Sequence, residues 1–442
     1  MAPETLEREG LQLQDHLMIP GELREIKAHL KGRSWNIPLT KTVLSKSMLF
    51  TGGVGTGKTT ALNGVVKELI DSLGPRDSMI VFDAKGDFRR QFCRPGVDVV
   101  LSGDEHATAY WNLFREVEVD GPKKLDANIR EIASSFFDEK IRRSNAPFFP
   151  MAARDTLTSI ITYIIRTLIP NEQDHLELYH FLRDASLEDL VACLGAHPDL
   201  MGTLDYIDSS RGSPEQSQGV LSELRIVCNE LLNNQFRQHG DFSVRDFVRH
   251  GCGRILFLEY DLSVGSVLGP VYKTIFDLAI KETLSRREGE PGSRGTGYVS
   301  WGNVYFVADE FSLLRGLYHI QTGLNYGRSL NSSYLIACQN CQQLFDIYGH
   351  ECARSIMSAF GTLVSFRTTD RATIEFIQDH SGSAREILSY RGADYSKGRT
   401  TSLITRKVVE DWDILKLGVG EAIVSVPDYD PNPVRFRVKD WI

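Results

Sequence analysis

Gly52 to Thr59 carry the spacing G-x-x-x-x-G-K-[ST] inside the run Thr51-Gly52-Gly53-Val54-Gly55-Thr56-Gly57-Lys58-Thr59-Thr60. Glycines spaced this way let backbone N–H groups curl round phosphate oxygens. The lysine ammonium can reach the β- and γ-phosphates, and the following hydroxyl can serve magnesium. The chemistry implied is the binding of ATP with Mg2+, with Thr59 on the metal. A plain glycine turn is the bland alternative.

A P-loop that hydrolyses its nucleotide needs a carboxylate to organise magnesium and a group to position water. The run Val304-Tyr-Phe-Val-Ala-Asp309-Glu310 offers both at the end of an apolar strand. Asp309 would hold the magnesium shell, and Glu310 would polarise the attacking water. The competing reading is a solvated acidic turn. Gln339 closes the next apolar run, SYLIAC, where an amide can sense the γ-phosphate. Arg328, in Tyr-Gly-Arg-Ser 326–329, can reach a neighbouring subunit's nucleotide as a finger, although an arginine taken alone is more often a surface salt-bridge residue.

These residues need elements to place them. Met48, Leu49 and Phe50 make a short apolar run into the glycine loop. Beyond it Leu62, Val65, Val66, Leu69, Ile70 and Leu73 recur at helical spacing up to Gly74-Pro75. MIVFD (79–83) and VDVVL (97–101) read as strands, so strand, loop, helix and strand open a parallel α/β sheet. From about Pro122 to about Arg237 the texture is helical. Ile129, Ile132, Ala133, Phe136 and Phe137 share one face, and Leu157, Ile160, Ile161, Ile164, Ile165 and Leu168 share another. Ser186 is an N-cap, and a further helix covers Val220 to Leu232. Strands return at 254–260, 303–309, 333–339, 362–368 and 421–426. Segments 285–300 and 391–402 read as mobile surface loops. The division predicted is an N-terminal arm or small β element at 1–45, an α/β domain at 46–120 and 238–442, and an inserted all-α domain at 121–237.

Bulk composition bounds the rest. A chain of 442 residues exceeds one ordinary core. A net charge of −8 disfavours a surface coated for indiscriminate nucleic-acid binding, yet leaves room for DNA contact in a channel. The polar, acidic N-terminus and the lack of a long apolar run predict a cytoplasmic chain that does not span a membrane. Seven scattered cysteines argue against a disulfide framework. Cys338 and Cys341 form a lone CxxC with no second pair, best read as small buried residues beside a strand.

The chain resembles the TraD/TraG-type coupling ATPases of conjugation and type IV secretion, within the FtsK/HerA group of ring translocases, from about Ile19 onward. The carriers are GGVGTGKTT (52–60), VFDAKGDF (81–88), WNLF (111–114), VADEF (307–311), YGRSLNSSYLIACQN (326–340) and GEAIVSV (420–426). The resemblance implies a RecA-like P-loop domain with a central, mostly parallel sheet and an inserted all-α domain. It gives Lys58 and Thr59 the phosphate and magnesium roles, makes Asp309 and Glu310 the acidic pair, Gln339 the sensor and Arg328 the finger in trans. It further implies a homo-hexamer around single- or double-stranded DNA, with a relaxase, a secreted protein or a membrane-bound secretion component as partner. Asp83 and Asp87 would shape the nucleotide site or an interface, and Lys85 would face DNA or phosphate. Membrane-anchored members carry N-terminal transmembrane helices, which are not seen here, so docking at the inner membrane would fall to a partner. Three other readings compete: a HerA-like motor in DNA processing or defence, a nucleotide-dependent adaptor for protein substrates, and a small-molecule kinase. Intact Glu310 and Arg328 argue against the adaptor, and the long insertion argues against the kinase.

Overall fold

The computed structural model describes residues 5–10, 25–30, 33–38, 41–263, 265–286, 301–390, 400–426 and 430–437. Its strands, numbered along the chain, are β1 (Thr5–Gly10), β2 (Glu25–Leu30), β3 (Arg33–Pro38), β4 (Met48–Thr51), β5 (Ser78–Asp83), β6 (Val99–Ser102), β7 (Arg254–Glu259), β8 (Val304–Ala308), β9 (Ser332–Cys338), β10 (Thr362–Phe366), β11 (Ser383–Tyr390), β12 (Thr400–Lys407), β13 (Glu421–Val426) and β14 (Asp430–Arg437). The chain gathers into two compact units. One comprises 1–74, 287–316 and 320–442, and the other 75–286 with 317–319.

In the first unit, strands run side by side in the order β14, β13, β10, β4, β9, β8. The pairs β10–β4, β4–β9 and β9–β8 are parallel, while β13 and β14 join antiparallel at one edge. Every residue of β4, β8, β9 and β10 is buried. Strands covered on both faces read as continuous apolar runs, which is why the sequence announces them. The helix Lys58–Ile70 follows β4 and buries Ala61, Leu62, Val65, Val66 and Leu69. It ends at Ile70, short of Gly74-Pro75, because Ser72 and Leu73 donate to Leu69 and Ile70 in tighter three-residue turns. β2 and β3 pair with each other antiparallel as a hairpin. β1 lies apart from that hairpin, paired antiparallel with β11, which in turn pairs with β12.

β11, β12 and β14 are absent from the sequence reading. Their residues are mixed in polarity (SAREILSY, TTSLITRK, DPNPVRFR), and their partners lie far off or across loops, so no continuous apolar run marks them. The loop expected over 391–402 is corrected at its end, since residues 400–402 belong to β12 and pair with 388–390. Its remainder, and all of the 285–300 expectation except Ser285 and Arg286, lie outside the described residues.

In the second unit, β5, β7 and β6 stand parallel in that order. Helices fill most of the chain between β6 and β7, chiefly Leu125–Arg143, Phe148–Thr167, His175–Asp184, Leu187–Gly195 and Pro214–Leu231. Ser186 closes a capping box with Asp189. The helix Pro214–Leu231 begins a turn and a half before Val220, since its capped first turn is polar and carries no apolar signal. The WNLF segment is a packing device. Trp111 is fully buried and its Nε1 donates to Glu116 at 2.8 Å, while Ser243 Oγ donates to the same carboxylate at 2.9 Å. Burial pushes Glu116 up to about 7.

Candidate functional site

β10, β4, β9 and β8 are parallel neighbours, so their carboxyl ends open on one edge, where open α/β sheets gather ligands. The glycine loop leaves β4, Asp309 and Glu310 follow β8, and Gln339 follows β9. The loop is held in shape by contacts far along the chain. Gly53 N–H donates to Arg367 O at 2.8 Å, Gly420 N–H to Thr56 O at 2.9 Å, and Thr56 Oγ1 to Gly53 O at 2.8 Å. Two positions demand glycine. At Gly52 (φ +145°) a Cβ would lie 2.6 Å from Phe366 Cβ. At Gly57 (φ +110°) it would lie 3.1 Å from Gly420 Cα. Gly57 is the N-cap of Lys58–Ile70, so that helix's free N–H groups open beside the loop. Val54 and Gly55 at the loop's tip are exposed.

Lys58 is buried, with its ammonium donating to Gly52 O at 2.6 Å and Gly53 O at 2.9 Å. Thr59 Oγ1 lies 3.1 Å from both carboxylate oxygens of Asp309. Glu310 accepts from Gln339 Nε2 at 2.8 Å and from Ser312 Oγ at 2.8 Å. All three polar side chains, Asp309, Glu310 and Gln339, are half-buried. Thr60 continues the helix after Thr59. A hydroxyl and a carboxylate side by side, both of hard oxygen, suit a small divalent cation that keeps most of its water. The cleft therefore places an ammonium, helix N–H groups, a metal-type oxygen pair and a hydrogen-bonded carboxylate–amide pair in one neighbourhood.

Arg328 is exposed in the short 3-10 turn Gly327–Leu330, and it makes no hydrogen bond or ion pair among the described residues. The salt-bridge alternative thus has no partner there. The sequence reading missed Ser312, whose hydroxyl carries no motif. It also missed the part played by Gly420, whose one signal was a glycine before an apolar strand. Cys338 and Cys341 are buried, their thiols raised by burial, Cys341 to about 11. They gather no metal-ligand cluster among the described residues.

VFDAKGDF belongs to the second unit. Asp83 ends β5 and accepts from Arg89 N at 2.8 Å, so it fixes the following turn. Burial raises it to about 6 against the lowering pull of those N–H bonds. Lys85 is exposed, and Asp87 pairs with Arg90 in the first turn of the helix Asp87–Phe92. Among the described residues no helix is long and apolar enough to cross a membrane.

Residues 34–431 match the sequence model of the type IV secretion-system coupling protein DNA-binding domain. The chain is 24% identical over 377 residues to coupling protein TraD of Escherichia coli (strain K12), covering 82% of this chain and 48% of that protein. It thus spans about half the length of the curated relative it matches. Among solved structures it is similar to the plasmid coupling protein TrwB in complex with ADP and Mg2+, with TM-score 0.74 and 21% identity over 100% of this chain and 97% of that one. It is also similar to VirB4 of Thermoanaerobacter pseudethanolicus, with TM-score 0.53 and 13% identity over 96% and 98%. Likeness at these identities establishes the fold, an α/β RecA-like P-loop domain with a mostly parallel sheet and an all-α insert.

Proposed function

The chain belongs to the family of type IV secretion-system coupling protein DNA-binding domains, and from that membership we propose that it is an ATP-hydrolysing motor that drives DNA, or hands it over, to a conjugation or secretion machinery. The observation that carries the catalytic part is the pairing at the strand ends: Thr59 with Asp309, and Glu310 with Gln339. Lys58 would exchange the carbonyls of Gly52 and Gly53 for the β- and γ-phosphate oxygens of ATP, while the N–H groups from Gly52 to Thr60 cradle the phosphates. Thr59 and Asp309 would hold Mg2+. Bound there, the ion neutralises charge developing on the phosphate oxygens. Glu310 would orient and deprotonate the attacking water, with Gln339 keeping the carboxylate aimed and reporting the γ-phosphate. Arg328, exposed and without an ion pair among the described residues, would serve the nucleotide of the next subunit in a homo-hexameric ring.

The same reading assigns residues 121–237 to the inserted all-α domain, 46–120 and 238–442 to the ATPase domain, and 1–45 to an N-terminal arm or small β element. The substrate would be single- or double-stranded DNA, with a relaxase or secreted protein attached to it. Work on the cytoplasmic side of the inner membrane, beside a membrane-bound secretion component, follows from that role. The deciding experiment is ATP hydrolysis with and without each kind of DNA across protein concentration. Cooperative turnover stimulated by DNA is expected. Turnover indifferent to DNA would overturn the motor and favour an adaptor for protein substrates.

A further inference from the structure

In the second unit a separate cluster of ligating side chains lies past the carboxyl ends of β6 and β7, and the scheme above uses none of it. Asp104 and His106 follow β6, Glu259 ends β7, and one ligand atom from each lies within 4.8 Å of the others. His106 Nδ1 is 3.0 Å from Asp104 Oδ1 and 3.7 Å from Glu259 Oε2.

The cluster is built into the fold. Glu259 is only 8% exposed. Gly86 makes room for it, because a Cβ at that position would stand 2.5 Å from Glu259 Oε1. Asp104 is fixed by Ser102 Oγ at 2.9 Å and by His106 N–H at 2.8 Å. The second observation is an orphaned oxygen. Glu259 Oε2 is buried without a hydrogen-bond partner, and so is Arg89 Nε, although the two lie 2.8 Å apart. The guanidinium meets the carboxylate as an ion pair and not through an aligned N–H, so its charge is compensated while its hydrogen-bonding capacity stays open beside an imidazole nitrogen and a second carboxylate. His106 is 46% exposed, which gives an ion a route from solvent.

We propose that Asp104, His106 and Glu259 form a divalent-cation site of the zinc class. One imidazole nitrogen with two carboxylates suits Zn2+, whereas Mg2+ and Ca2+ favour shells of oxygen alone. Three protein ligands leave a coordination position for water or an anionic oxygen. Occupancy ties the segment after β6 to the end of β7 and satisfies Glu259 Oε2.

The test uses the full chain, stripped with a chelator and titrated with Zn2+ against a chromophoric competitor, then with Co2+ as a spectroscopic probe. One tight Zn2+ per chain is expected in wild type. H106A should lose at least about ten-fold in affinity, with the same outcome for E259Q. The Co2+ spectrum should lack a thiolate charge-transfer band, which separates this site from the seven cysteines. Because Glu259 is buried and E259Q can unfold, the half-exposed His106 variant, checked by near-UV circular dichroism, keeps the test decisive. Absence of Zn2+ binding by wild type, equal affinity in folded H106A, or a thiolate band that H106A leaves intact would each overturn the proposal.

Discussion

Replacing Glu310 by glutamine removes one charge and almost no volume, so it separates chemistry from binding. Glu310 receives two hydrogen bonds of 2.8 Å, from Gln339 Nε2 and Ser312 Oγ. In E310Q one of these donors meets an amide N–H2 and must turn away. For a half-buried group that local loss is about 1 kcal/mol, a shift of about one degree in Tm for a chain this size. The loss of a general base is far larger, about 10²- to 10⁴-fold in rate, or roughly 3–5 kcal/mol at 1.36 kcal/mol per tenfold. Nucleotide affinity should stay within about three-fold, because Lys58 and the Thr59–Asp309 pair lie outside the substitution. A fluorescent ATP analogue reads affinity, and single-turnover phosphate release reads chemistry. A rate within about three-fold of wild type, or a rate loss matched by an equal loss of affinity, would refute the role given to Glu310. The companion variant Q339L leaves the carboxylate but frees its aim, and about a ten-fold fall in single-turnover rate is expected from one charge-assisted bond.

K58A should weaken ATP by roughly a hundred-fold or more, since the charge-assisted bonds to phosphate vanish; normal turnover in this variant would dispose of the P-loop assignment. R328A should bind nucleotide normally but turn over at least about 10³-fold more slowly, and mixing it with K58A should restore part of the rate through hybrid rings; hybrid rings with no recovery would remove the finger from the neighbouring site. His175 is buried, its Nε2 accepting from Leu113 N–H at 2.9 Å and its Nδ1 lying 2.7 Å from Phe236 O, an arrangement only the neutral ring satisfies. Burial lowers it from 6.5 to about 4. The unfolded chain therefore takes the proton first, and about 3 kcal/mol of stability, full above pH 6.5, drains away as pH falls toward 4. Urea unfolding of wild type against H175Q should show that slope only in wild type. Asp83 and Glu116, raised by burial, slope the opposite way in both proteins and cancel in the comparison.

The sequence alone determined the elements whose signals are local. The glycine loop, the strand entering it and the helix leaving it are legible because neighbouring residues fix backbone conformation and phosphate-type N–H geometry. The doubly covered strands β4, β5, β7, β8 and β9 are legible because burial on both faces forces continuous apolar runs. Ser186 and its capping box are legible for the same local reason. Tertiary structure decided what depends on distant partners. Thr59 meets Asp309 across 250 positions, and Glu310 meets Gln339 across 29. No spacing rule states that β4 and β9 are neighbours while β10 flanks β4 on the other side. Arg367 and Gly420 shape the glycine loop through backbone groups, which every residue type possesses and no motif can mark. The edge strands β11, β12 and β14 are specified by the strand they pair with, because their own residues are half polar. The cluster of Asp104, His106 and Glu259 joins Glu259 to two residues far earlier in the sequence, and it exists because β6 and β7 run parallel side by side. Local chemistry is written along the chain; pairing across a sheet is settled only when the strands have found their order.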